Sequence, residues 1–417
     1  MPQETYAAKQ ASAEAEPSGS DPLAGVKDSL NKVYDSKPYA EFREKSNSFF
    51  SSIYGIIFAG AFIGVVAAFL QHEGNPGNMG FCMACFERDI AGSLGLFAKG
   101  PAYMRPEIPG IILGAFAASL MFKEYKAKTG SAPSIRFILG FFSMIGALVF
   151  LGCPWRAFLR LAGGDWNAII GIAGLTVGVF IGSFFLKNGF NLGKAEKVRP
   201  AVGLLLPFIA ILLMILVIAK PVFDEGQIDP DSGASIEVFV LKETAGHAAI
   251  WISFGVAFFV GFLAQRTRFC TIGGLRDSIM IQDYHLLMGV IALVVAAFIT
   301  NQIFDAFFDG LPQWNPGWDG QPAAMPSEFY TWNFLGMVLA GFGFTLAGGC
   351  PGRQLVLSGE GNADSSIFVV GMVAGAAFAH NFRLSSSPVG PGDWGPAAVI
   401  IGLIIFVIIG LMMRDRH

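Results

Sequence analysis

The stretch "GCPWRAFLRLAGGDWN" at Gly152–Asn167 returns, changed but recognisable, as "GCPGRQLVLSGEGNAD" at Gly349–Asp364. Each copy follows an apolar run and sets a thiol, a proline and an arginine in the order Gly-Cys-Pro-x-Arg. Glycine frees the backbone for a tight reversal out of the preceding helix. Proline suits the first turn of a new helix, where its missing N–H costs nothing. Cys153 and Cys350 are thereby predicted at or beside a helix N-cap. Free N–H groups and the positive end of the helix dipole favour an anion there, and they favour a thiolate. A thiol so placed can hydrogen-bond a passing anion or attack it. One copy would read as a turn around a small buried cysteine; two symmetric copies point to function.

Upstream of each copy lies a second repeated motif, F-C-x5-R-D: "FCMACFERD" at Phe81–Asp89 and "FCTIGGLRD" at Phe269–Asp277. Arg88–Asp89 and Arg276–Asp277 are adjacent opposite charges, costly in a membrane unless paired or wetted. They read either as ion pairs that pin a half-helix or as anion contacts. Arg156 and Arg353 stand one turn beyond the Gly-Cys-Pro cysteines on the same helix face, and they read more readily as anion contacts. Asp165 and Asp364 read as caps or partners. The motif cysteines are 71 residues apart in the first half and 80 in the second, a difference that the acidic loop near 305–330 can absorb.

Between these motifs the chain is a membrane sequence. Of 417 residues, 53% are hydrophobic and only 14% charged, well below the quarter typical of soluble domains. Ten apolar stretches are predicted to span, near 48–70, 106–122, 135–151, 167–186, 201–219, 247–264, 286–304, 331–347, 365–380 and 395–413. Four-residue glycine spacings (Gly110/Gly114, Gly174/Gly178/Gly182, Gly371/Gly375) suit close helix packing. Residues 1–47 are polar and lack the apolar region of a signal peptide. They read as a cytoplasmic tail with a short amphipathic helix around 30–42.

Basic segments alternate with acidic or neutral ones. Lysines and arginines precede the first span, fill the loops "KEYKAKTGSAPSIR" and "KNGFNLGKAEKVR", and close the chain in "RDRH". The intervening loops "KPVFDEGQIDPDSGASIE" and "DAFFDGLPQWNPGWDG" are acidic. Both termini are therefore expected in the cytoplasm, with the chain multi-pass in the plasma membrane. Each half carries five spans, an odd number, so the halves must run in opposite directions. The reading is an all-α polytopic protein of about ten spans in two inverted repeats, with four re-entrant half-helices meeting near the midplane. Its segments are the tail (1–47), the first repeat (48–220), an external acidic loop (221–246) and the second repeat (247–413).

A CxxC pair, Cys82/Cys85, with no second pair and no nearby histidine is a poor zinc signal, and no metal or cofactor is expected. Cys85 has Gly273 as its repeat counterpart, so it reads as a resolving thiol for Cys82 or as a small packed residue. The five histidines show no ligand spacing and fall at span ends. No basic cluster points to nucleic acid, and no P-loop supplies an energy source.

Taken together, the paired F-C-x5-R-D and G-C-P-x-R motifs in a ten-span inverted repeat resemble the YeeE/YedE transporter family. "FCMACFERDIAG", "FLAQRTRFCTIGGLRD" and "GGCPGRQL" look most like its YedE branch, described as selenium transporters. The resemblance covers roughly residues 50–413. It implies an hourglass fold and a relay in which cysteines pass a thiosulfate-like anion through S–H···S contacts. Carried over by motif, Cys82, Cys153 and Cys350 form that relay, and Cys270 joins by the internal repeat. The expected function is a non-enzymatic permease for a small selenium or sulfur solute, in a lipid bilayer, with a cytoplasmic sulfur or selenium carrier protein as a further partner. The alternatives are a membrane thiol oxidoreductase using Cys82/Cys85 and a membrane scaffold that docks a sulfur-carrier protein.

Overall fold

The computed structural model describes residue 34 and residues 36–219, 222–228, 235–239, 245–308, 313–322 and 324–414. Residues 1–33, where the amphipathic helix was expected to begin, lie outside these, as do parts of the acidic loop and the end of "RDRH". A first helix, α1 (Lys37–Phe50), belongs up to Phe49 to a separate unit.

The described chain from Phe50 onward is almost wholly helical. It contains α2 (Ile53–His72), α3 (Met83–Ser93), α4 (Glu107–Met121), α5 (Pro133–Phe150), α6 (Pro154–Ala162) and α7 (Asn167–Lys187). The order continues with α8 (Leu205–Ala219), α9 (Ile250–Thr267), α10 (Thr271–Met280), α11 (His285–Phe307), α12 (Tyr330–Ala347), α13 (Pro351–Gly359), α14 (Ala363–Asn381) and α15 (Gly395–Met412). Among the described residues, eight apolar helical segments are long enough to cross a membrane, and the shorter apolar helices α4 and α8 make up the ten expected spans. The chain is an all-α, multi-pass membrane protein. Among the described residues the strands are the two-residue pair β1 (Lys128–Thr129) and β2 (Glu196–Lys197) and the antiparallel pair β3 (Val222–Ile228) and β4 (Ser235–Phe239).

Helices α3, α6, α10 and α13 have 9 to 11 residues. At 1.5 Å per residue they are about 13–17 Å long, half the thickness of a hydrocarbon core. They are the four half-helices, and local chemistry sets their ends. Helices α5, α9 and α12 each stop at a left-handed residue, Leu151 (φ 62°), Arg268 (φ 57°) and Gly348 (φ 89°). This cap turns the chain sharply away from the helix axis. Two residues later the chain restarts on an extended cysteine: Cys153, Cys270 or Cys350.

The spans pair across the repeat. Helix α2 packs on α11 and α4 on α9, the equivalent pair with the halves exchanged; α7 on α12 and α14 on α5 are related in the same way. The central pair, α5 on α12, maps onto itself. Every one of these contacts joins one half to the other, as an intertwined inverted repeat requires. Glycines make the closest approaches. A Cβ on Gly174 would lie 2.2 Å from the Phe334 carbonyl oxygen, and one on the equivalent Gly371 2.3 Å from that of Phe137.

A Cβ on Gly114 would come within 1.9 Å of the Phe258 carbonyl oxygen, a clash that no rotamer relieves. Gly114→Ala must push α4 and α9 apart. It is expected to cost about 1–3 kcal/mol, read as earlier thermal unfolding in detergent.

Loops sort to two ends. Lys126 and Lys128 bond to Glu360 and Gly361, β1 pairs with β2, and Asn191 bonds to Met413, which gathers the basic loops at one end. At the other end Asn315 and Gly317 bond to Gly163 and Gly164, and Asn381 bonds to Leu96.

Candidate functional site

All four motif cysteines occupy the N-cap of a half-helix. Sequence reasoning placed only the Gly-Cys-Pro pair there. In the F-C motifs the sulfur does the work that a serine or aspartate oxygen does in an ordinary cap. Cys82 Sγ accepts from the Cys85 amide at 3.3 Å, and Cys270 Sγ accepts from the Gly273 amide at 3.2 Å. These two thiols are therefore held by their own helices, whereas Cys153 and Cys350 make no side-chain cap bond.

They gather into two groups. In the first, Cys82 Sγ and Cys85 Sγ are 2.6 Å apart and Cys153 lies within hydrogen-bonding reach of Cys82. In the second, Cys270 Sγ and Cys350 Sγ are 3.9 Å apart. All five are free thiols and all are buried. Cys85 belongs to this first group. Its position one turn from Cys82 was the available signal, and its lack of a repeat counterpart argued against it.

Between the groups stands Trp155, 1% exposed. Its ring meets Phe81 edge-on at 6.4 Å and Phe269 at 5.5 Å, the residues preceding Cys82 and Cys270. Its nitrogen-bearing edge covers Gly352, where a Cβ would sit 2.9 Å from the indole. One side chain thus touches all three other half-helix motifs. Trp155 and Gly352 are the variable position of Gly-Cys-Pro-x-Arg in the two repeats, and this single mismatch was the sequence signal for it.

The predicted arginines separate by environment. Arg156 donates to the carbonyls of Asn78 (3.2 Å) and Leu151 (2.6 Å) and reaches Cys85 Sγ at 3.5 Å. Arg88 bonds Asp89 at 2.6 Å, and the same carboxylate takes Arg105 at 2.7 Å with neither of the latter two exposed. Arg88 and Arg156 also line a cavity of about 550 Å³, together with His380, Arg383 and Ser385–Ser387. Arg383 is largely exposed at its rim, where it pairs with Asp393. The cavity therefore offers cations and hydroxyls to an anion, and Arg156 joins its wall to Cys85 of the first thiol group. Nothing in the motifs announced Ser385–Ser387 or Arg383.

In the second repeat Arg276 pairs with Asp277 at 2.8 Å, both about a quarter exposed, and Arg353 pairs with Glu360 at 3.2 Å. Asp165 takes the Asn167 amide and Arg160, and Asp364 ties Thr129, Gly130 and Ser131 to α14; both are partners, while the cap of α14 is Asn362.

Comparison with known proteins adds one match. No curated protein matches the chain. Residues 266–412, which hold Cys270, Cys350, Arg276 and Arg353, match the family model described as sulphur transport.

Proposed function

We propose that this protein is a permease for a small sulfur- or selenium-containing anion, which passes along Cys82, Cys153, Cys270 and Cys350 through the junction of the four half-helices. The observation that carries the reading is the pair of buried thiol groups at that junction, one of them joined through Arg156 to a cavity that Arg88 and Arg156 help to line. The sulphur transport match over the second repeat supports the chemical class. Arg88 and Arg156 draw the anion in, and Arg276 and Arg353 serve the other end. Thiols suit the cargo because sulfur is soft, polarizable and only weakly held by S–H donors. A series of weak sites lets a solute leave as readily as it enters. No covalent step is needed, so the protein is a transporter and not an enzyme.

On this reading residues 48–220 and 247–413 are the two membrane repeats of a plasma-membrane protein. The end that gathers the basic loops and Met413 faces the cytoplasm, in keeping with the positive-inside rule, and there a carrier protein would collect the cargo. The test is uptake by reconstituted vesicles of a competing panel: thiosulfate, selenite, hydrosulfide and hydroselenide. Saturable uptake of one of these, with competition by its chemical neighbours, is expected. A parent protein that moves none of them contradicts the reading.

A second reading has one observation in its favour. The 2.6 Å approach of Cys82 and Cys85 suits a thiol–disulfide couple. The two readings separate on Cys85→Ser. Cys85 is not one of the four relay thiols, and serine keeps a donor and an acceptor for its neighbours, so in a permease uptake should fall by no more than roughly twofold. In an oxidoreductase the couple, and all activity, disappears.

A further inference from the structure

Repeat-equivalent residues that face one another across a pseudo-two-fold axis compete for the same space. Trp155 and Gly352 are such a pair: each is the second helical residue after its Gly-Cys-Pro cysteine, and the indole lies directly on the Gly352 backbone. One large side chain fits on the axis only because its mate has none. The indole is wedged between Phe81 and Phe269 and is buried, so it closes the junction between the two thiol groups.

Its nitrogen supplies the second observation. Trp155 Nε1 is buried and has no hydrogen-bond partner among the described residues. A buried indole N–H usually finds an acceptor, and leaving one unpaired is costly. This N–H faces the first turn of α13, whose cap is Cys350, so an acceptor arriving there would meet both the donor and the N-terminus of a half-helix.

We propose that Trp155 is the gate of the permeation path and that its indole N–H is a binding contact for the anion as it crosses from Cys82 and Cys153 to Cys270 and Cys350. The inference rests on the permease reading above. It assigns a solute class as well: an oxyanion such as thiosulfate, whose oxygens are strong acceptors, gains more from the N–H than hydrosulfide, whose only acceptor is a large, soft sulfur.

Two variants test it in vesicles, with thiosulfate, hydrosulfide and nitrate as probes. Trp155→Phe keeps an aromatic plug and removes the donor. It is expected to raise the KM for thiosulfate about tenfold, the loss of one buried hydrogen bond to a charged group, while changing that for hydrosulfide by less than about twofold. Trp155→Ala removes the plug and is expected to pass nitrate, which the parent is expected to exclude. Phenylalanine is smaller than tryptophan but keeps an aromatic ring at the axis, and monodispersity in detergent checks its fold. Parental thiosulfate kinetics in Trp155→Phe, equal losses for both sulfur solutes, or nitrate exclusion by Trp155→Ala would each overturn the inference while leaving the permease reading intact. Absence of any uptake by the parent would overturn both.

Discussion

Cys153→Ser protein is expected to purify intact and to move its sulfur anion at least about tenfold more slowly than the parent. Serine is nearly isosteric and can hold the same extended N-cap, so α6 should still begin at Pro154. What changes is the partner offered to the solute: oxygen is harder and less polarizable than sulfur. Cys153 is fully buried beside Cys82, so the solute has no neighbouring surface thiol to use instead. The checks are initial uptake rates at matched protein density and monodispersity in detergent. Well-folded Cys153→Ser protein that transports at the parent rate would remove the thiol path from the mechanism.

Asp89→Asn should have the largest effect on stability. Asp89 is fully buried and accepts from Arg88 at 2.6 Å and from Arg105 at 2.7 Å. Arg105 in turn reaches Asn75 Oδ1, and Asn75 holds the Ala248 amide, so the carboxylate anchors a network that spans both repeats. An amide leaves two buried guanidinium groups without their counter-charge, at a cost of about 3–5 kcal/mol. The repeat equivalent provides the control. Asp277 and Arg276 are each about a quarter exposed, and Asp277→Asn should cost no more than about 1 kcal/mol. Melting temperatures of the two variants in one detergent decide this. Equal destabilisation would mean that burial does not distinguish the repeats.

That contrast shows where the sequence could be read and where it could not. The ten spans emerge within a few residues because an apolar run of membrane length has few other uses. The half-helices emerge because Gly-Cys-Pro combines a turn with a helix start and occurs twice. The reversal was expected at the motif glycines Gly152 and Gly349, but the left-handed cap falls one residue earlier, on Leu151 and Gly348, and on Arg268 ahead of Cys270, where ordinary side chains at Leu151 and Arg268 hide it. Burial was equally hidden: Arg88–Asp89 and Arg276–Asp277 read alike, and only packing makes one pair an interior anchor and the other a partly wetted pair. Cys85 joined the site by lying one helical turn from Cys82, which symmetry reasoning discounted. Trp155 and the Arg383–Ser385–Ser387 wall depend on which helices meet, and no local pattern carries that information.

The central claim is that a sulfur-type anion crosses between the two thiol groups, past Trp155. Selenosulfate, thiosulfate with its terminal sulfur replaced by selenium, can be located by anomalous scattering in crystals of the parent protein. The account predicts a selenium peak in contact, within about 4 Å, with the sulfur atoms of Cys82 and Cys153 or of Cys270 and Cys350. Selenium found only at the lipid-facing surface, with none at either thiol group under conditions that saturate uptake, would contradict it.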